Sequence, residues 1–157
     1  AGELTARLVL DVGCGTGSLA IQLAGHGYEV VGVDPAEASL KVAKLKDQAG
    51  LVRWIHGDAM TLPALDADLA TMTGNVAQVF LTDDDWDQTL QSIHAALRPA
   101  GYLVFETRRP EHRAWEEWAA DVGPVTLDIP GVGRVEQRRE VTDAAFHLSP
   151  SDTPTGS

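Results

Sequence analysis

Leu8-Val9-Leu10-Asp11-Val12-Gly13-Cys14-Gly15-Thr16-Gly17-Ser18-Leu19-Ala20 is the stretch that decides the fold. It opens apolar and β-prone, passes one acid, sets glycine at every second position from 13 to 17, and then turns helix-like. Strand, glycine turn and helix start follow in that order. Glycines so spaced let the backbone reach positive φ and leave bare peptide for a ligand to approach. The helix beyond offers unpaired N–H groups and a positive dipole end. A polar ligand is therefore expected at the carboxyl end of the first strand.

Outward from that stretch, strand and helix patterns alternate. The first strand is expected over residues 7–12. A helix from Ser18 carries Leu19, Ala20, Leu23 and Ala24 on one face and stops at Gly25 and Gly27. Tyr28 to Val33 is the β-branched run of a strand buried on both faces. Asp34 then caps a helix, Pro35 suits its first turn, and the helix runs to about Ala49 before Gly50. Leu51–His56 is a third strand, followed by Gly57-Asp58, and residues 59–66 form a loop. Ala67–Thr73 is a fourth strand, followed by Gly74-Asn75. Thr82 and the acids after it read as a helix cap at the positive dipole end. Trp86, Leu90, Ile93 and Leu97 make the apolar face of the helix beyond. Arg98-Pro99-Ala100-Gly101 is expected to end that helix, and Tyr102–Thr107 to form a fifth strand.

Such alternation predicts an α/β fold with a doubly wound, mainly parallel sheet, whose ligand sits at the carboxyl ends of the strands. Gly13, Asp34, Asp58 and Gly74 each fall just past a predicted strand, and Glu106 to Arg109 close the row. After Pro110 the pattern changes. A short helix over Glu111–Ala120 carries Trp115 and Trp118, and strands are expected over Val125–Ile129 and Arg134–Val141, with another beginning over Ala145–Leu148. Three regions result: a Rossmann-like domain over 1–109, an appended α/β segment over 110–148, and a disordered Ser/Thr/Pro-rich tail over 149–157.

The bulk composition narrows the function. The 157 residues are 44% hydrophobic and 22% charged, as in a globular domain with a real core. Twelve basic against 23 acidic residues give a net charge of −11, which argues against broad binding to a phosphate backbone. Local basic patches do occur, at Arg108, Arg109 and Arg113 and at Arg134, Arg138 and Arg139. The expected partner is a small molecule rather than nucleic acid. No apolar run is long enough for a membrane span, and no charged-then-apolar leader is read at the N-terminus. The single Cys14 excludes an internal disulfide and suits a reducing compartment, so a cytoplasmic location is expected. The five histidines show no ligand spacing, so no metal is expected. The Asp83–Asp87 cluster reads as a solvated helix start rather than a metal site.

Leu10-Asp11-Val12-Gly13-Cys14-Gly15-Thr16-Gly17 resembles the first motif of the class I S-adenosylmethionine-dependent methyltransferases. Val31-Gly32-Val33-Asp34 resembles the second-strand motif of that family, and His56-Gly57-Asp58-Ala59-Met60 its third. Leu97-Arg98-Pro99-Ala100-Gly101-Tyr102-Leu103 resembles the turn before its fifth strand. The resemblance covers about residues 7–107 in order and spacing. It implies S-adenosylmethionine as cofactor and methyl transfer to a small-molecule acceptor by in-line displacement. It also implies a set of cofactor-binding residues: Asp11, Gly13, Cys14, Gly15, Gly17, Asp34, Pro35, Asp58, Ala59, Met60, Thr73, Gly74 and Asn75. In that set Asp34 accepts from the ribose hydroxyls, Asp58 from the adenine amino group, and Cys14 is a small filler rather than a nucleophile. Glu106 and His112 are acid–base candidates, and Arg108 is a candidate anion holder.

Read as residues alone, Asp34 also fits a helix cap and Asp58 a turn residue. A dinucleotide fingerprint would want Gly or Ala where Ser18 stands, which keeps a nicotinamide-dependent reductase as a rival. A non-catalytic S-adenosylmethionine-binding domain is the other alternative. Against the family pattern the chain reads as shortened, with no convincing pair after Thr107 to supply the last strands of the sheet. That would leave the fifth strand as an open edge through which an oligomer could form.

Overall fold

The computed structural model describes residues 6–107, 125–129 and 133–137. By internal packing the chain divides into two units, Ala1–Arg108 and Arg109–Ser157. In the first unit the elements are β1 (Leu8–Val12), α1 (Ser18–Gly25), β2 (Glu29–Asp34), α2 (Glu37–Lys46), β3 (Val52–His56), β4 (Ala67–Met72), α3 (Asp83–Ala96) and β5 (Leu97–Phe105). Short 3-10 turns lie at Ala59–Thr61 and Val76–Val79. In the second unit, β6 (Val125–Ile129) and β7 (Gly133–Gln137) form an antiparallel pair. The helix expected over Glu111–Ala120 and the strand expected from Ala145 lie outside the described residues, as do the tail and the end of the strand expected to reach Val141.

The five strands of the first unit are parallel, in the order β3-β2-β1-β4-β5. The order reverses between β1 and β4, so the switch point lies beside the glycine turn. On one face Leu10, Val12, Val31, Val33, Ala70 and Met72 pack with Ile93 and Ala96 of α3. On the other, Ala20 and Ala24 of α1 pack with Val30 and Val52. The central strands β1, β2 and β4 bury both faces, as their near-continuous apolar runs require, whereas β5 at the sheet edge leaves Tyr102, Val104 and Phe105 exposed. No helix among the described residues is long and apolar enough to cross a membrane.

Side chains set several boundaries. Thr82 Oγ1 accepts the Asp85 N–H at 3.1 Å and starts α3. Helix α2 stops at Lys46 rather than near Ala49, because the Asp47 carboxylate takes the amides of Leu51 and Val52, each at 3.0 Å. A side chain that satisfies the backbone locally competes with helix continuation. Burial works against the Asp47 charge, yet these amides and the Trp54 indole N–H hold its carboxyl below the usual range. Asp34 does not cap α2 as expected. The N-cap is Ala36, whose own N–H is donated to Asp34 Oδ1.

The segment 97–101 is also not the simple helix-ending turn expected. Leu97 already pairs with Ala67, the pairing resumes at Leu69 with Tyr102, and the extra residues form an irregularity with Ala100 at φ 62°. Asp68 sits at that point. It accepts the Arg7 and Leu8 amides at 2.7 and 2.9 Å and pairs with the Arg98 guanidinium. These donors hold its carboxyl well below the usual range and tie β1, β4 and β5 together at their starts.

Candidate functional site

At the carboxyl ends of the strands, Gly13, Asp34, Gly57 and Asp58 share an open pocket with Val33, Pro35, Ala59, Val76, Val79 and Phe80. Two carboxylates therefore stand among apolar walls, a common make-up for a small-ligand site. Of the residues expected from sequence, Gly13, Asp34, Pro35, Asp58 and Ala59 line the pocket, whereas Asp11, Cys14, Gly15, Gly17, Met60, Thr73, Gly74 and Asn75 do not.

Asp34 ends β2 and is only 8% exposed. Its Oδ2 accepts the Gly15 N–H and its Oδ1 the Ala36 N–H, both at 2.8 Å. The carboxylate thus joins the glycine turn to the start of α2. The turn is held further by Gly13 and Cys14, whose N–H groups both reach Val33 O, and by Lys46, whose ammonium donates to Thr16 Oγ1 and Thr16 O. Asp58 Oδ1 accepts the Met60 N–H at 2.8 Å and starts the 3-10 turn. His56 Nε2 lies 2.9 Å from Pro35 O, which can only accept, so that nitrogen carries a proton.

The three glycines have distinct surroundings. All have positive φ, at 69°, 54° and 77° for Gly13, Gly15 and Gly17. A Cβ on Gly13 would overlap the Val76 side chain, and one on Gly17 would overlap Trp54 and Ala43. A Cβ on Gly15 would meet nothing within 4 Å. On their Cβ sides Gly13 and Gly17 thus admit protein side chains, whereas Gly15 faces open space. Trp54 explains a further glycine, since a Cβ on Gly32 would stand 2.7 Å from its ring.

Beneath the turn, Asp11 is 2% exposed and accepts from Thr71 Oγ1 at 3.0 Å. Burial drives its carboxyl up to about 6; the Thr71 hydroxyl works against this and the Asp34 charge adds to it. Burial likewise pushes the Cys14 thiol up to about 12, with Asp11 and Asp34 both contributing. A thiol so raised stays protonated and unreactive at neutral pH.

Glu106 follows β5, and its Oε1 accepts the Gly74 N–H at 2.7 Å and the Asn75 N–H at 3.4 Å. The other two acid–base candidates, Arg108 and His112, lie outside the described residues. Sequence reasoning missed Val76, Val79 and Phe80. Their only signal is that they are apolar residues directly after Gly74-Asn75. Among the described residues no group of three or more His, Cys, Asp or Glu could hold a metal ion.

Comparison with known proteins gives the ancestry. The model of the methyltransferase domain family matches residues 9–101. An uncharacterized methyltransferase of Oceanobacillus iheyensis is 33% identical over 97 residues, or 62% of this chain and 45% of the relative. The demethylmenaquinone methyltransferase of Staphylococcus saprophyticus is 37% identical over 106 residues, 64% of this chain and 45% of the relative. The chain thus spans less than half the length of these curated relatives. Among solved structures, CalS10 with S-adenosylmethionine bound, an amino pentose methyltransferase from Micromonospora echinaspora, superposes with a TM-score of 0.64 at 30% identity, over 69% of this chain and 46% of that one. A TehB-like S-adenosylmethionine-dependent methyltransferase from Corynebacterium glutamicum gives 0.59 at 25% identity, over 83% of this chain and 77% of its own. With its parallel β3-β2-β1-β4-β5 sheet and glycine turn at the switch point, the chain belongs to the class I S-adenosylmethionine-dependent methyltransferase domain family, whose cofactor is S-adenosylmethionine.

Proposed function

We propose that the chain binds S-adenosylmethionine in the pocket between Asp34 and Asp58 and transfers its methyl group to a small-molecule acceptor. The observation that carries this reading is the anchored carboxylate of Asp34 at a strand end in the pocket. Each oxygen already receives one amide, so the group is fixed in place, and each retains a lone pair for one of two adjacent ribose hydroxyls. Asp58 offers Oδ2 to the adenine amino group, and Val33, Pro35, Ala59 and Phe80 suit the flat apolar faces of the base. Asp11 below the turn supplies negative charge for the ligand's ammonium end. Gly15, open on its Cβ side, leaves room for close approach.

When bound, the cofactor supplies an activated methyl on a sulfonium that is already a good leaving group. The contribution of the chain is then mainly to bind and align. Glu106, His112 and Arg108 are the acid–base and anion-holding candidates for acceptors that must lose a proton. In this reading residues 1–109 hold the cofactor, and the protein works in the cytoplasm without nucleic acid or membrane as partner. The related demethylmenaquinone and amino pentose methyltransferases support an acceptor of small-molecule class.

Release of S-adenosylhomocysteine from S-adenosylmethionine across a panel of phenol, carboxylate and amine acceptors tests this. Acceptor-dependent release supports it. Because the chain spans less than half of the two curated relatives above, a second reading stands beside it: a cofactor-binding domain that does not turn over by itself. Saturable binding with no release on any acceptor would select that second reading.

A further inference from the structure

We infer that Glu106 is a positioning residue of the pocket: its carboxylate clamps the Gly74–Asn75 turn and so holds the Val76–Phe80 wall against the glycine turn. This rests on the proposal that the pocket takes S-adenosylmethionine. Gly74 and Asn75 lie at φ 69° and 73°. Successive backbone N–H groups in a turn can face one side and make a concave anion site. Asn75 is among the few non-glycine residue types that take that conformation readily. Here the anion is internal, since both amides converge on Glu106 Oε1.

The turn leads straight into Val76–Val79. Val76 then covers Gly13, and Val76, Val79 and Phe80 form one wall of the pocket. The far end of the wall is held from the same strand end. Phe105, next to Glu106, packs edge-on against Trp86 with ring centroids 5.5 Å apart, and Trp86 stands 5.9 Å from Phe80. The Glu106 N–H to Met72 O bond, at 3.3 Å, keeps this end of the chain in line with β4. The end of β5 therefore grips both ends of a wall that no strand pairing fixes. In this arrangement the wall needs only the reach of Glu106 as a hydrogen-bond acceptor.

The test uses Glu106→Ala, Glu106→Gln and Glu106→Asp in the 157-residue chain, with two readouts. One is amide hydrogen exchange over residues 74–80 without ligand, and the other is calorimetric affinity for S-adenosylhomocysteine. Glu106→Ala is expected to speed exchange at Gly74 and Asn75 and to weaken affinity, each about tenfold, the scale of one lost hydrogen bond. Glu106→Gln keeps an acceptor at the same reach and should restore both to near wild type. Glu106→Asp keeps the charge but stops one methylene short, so it should resemble the alanine variant. Glu106→Gln as impaired as Glu106→Ala, with Glu106→Asp intact, would overturn the clamp in favour of a role for charge. Unchanged exchange in Glu106→Ala, or faster exchange with unchanged affinity, would also overturn it. If wild type binds no S-adenosylhomocysteine while exchange follows the stated order, the cofactor reading fails and the clamp on the turn stands. Should the alanine variant not fold, the glutamine and aspartate variants still decide between reach and charge.

Discussion

Replacing Asp11 by Asn should make the protein more stable and a worse binder. Asp11 is buried under the glycine turn and its carboxyl is raised from 3.8 to about 6. A raised carboxyl means that the folded state holds the proton over a range where the unfolded chain has lost it. Between about pH 4 and 6 the folded state therefore binds more protons, and stability falls as pH rises. Below that window the charge is absent in both states and the penalty vanishes. Above it the penalty is constant, at about 3 kcal/mol for a shift of this size at about 1.4 kcal/mol per pH unit. Asparagine keeps an oxygen for the Thr71 hydroxyl and removes the charge, but brings two amide protons that need partners. Leaving one of them unpaired returns about 1–3 kcal/mol of the gain. Urea unfolding should then show Asp11→Asn more stable than wild type by about 1–2 kcal/mol at pH 8, with the advantage gone or reversed at pH 4. A difference between variant and wild type that is the same at both pH values would refute the reasoning, because only the ionised form is meant to be costly.

The same carboxylate should make ligand binding depend on pH. A cationic ligand favours ionised Asp11, so wild-type affinity for S-adenosylmethionine should drop as pH falls below about 6, while Asp11→Asn should be weaker and lack that inflection; titration calorimetry from pH 5 to 8 reads both. Asp34→Ala should weaken cofactor binding by about 1–3 kcal/mol and also lower the thermal midpoint, since it abandons the Gly15 and Ala36 amides; unchanged affinity would reduce Asp34 to a brace for the turn. Gly32→Ala should cost about 1–3 kcal/mol by overpacking against Trp54, and a double-mutant cycle with Trp54→Leu should recover part of that, whereas strict additivity would remove Trp54 as the cause.

Local patterns carried most of the scaffold. The quoted stretch gave β1, the turn and the start of α1 because each signal there is short-range: β-branched residues, alternate glycines, then helix formers. Asp34 and Asp58 were legible for the same reason, as acids at strand ends. What escaped depends on distant partners. The early stop of α2 is set by Asp47 reaching the amides of β3, and the early start of β5 by Leu97 pairing with Ala67 across the sheet. The packing of Trp54 had a trace in the sequence, since a glycine inside a strand marks close approach, and Gly32 is that glycine. The pocket wall had only its apolar residues directly after Gly74-Asn75. Val76 meets Gly13 and Glu106 meets Gly74 across long stretches of chain, and nothing in the local run from Gly74 to Phe80 encodes where it folds back.

The central claim is that this pocket takes S-adenosylmethionine through Asp34, and calorimetry on the 157-residue chain tests it most directly. Saturable one-site binding of S-adenosylmethionine and S-adenosylhomocysteine, weakened in Asp34→Ala, with no heat from a nicotinamide dinucleotide, is the predicted result. No heat with either sulfur ligand, together with saturable binding of the dinucleotide, would contradict it.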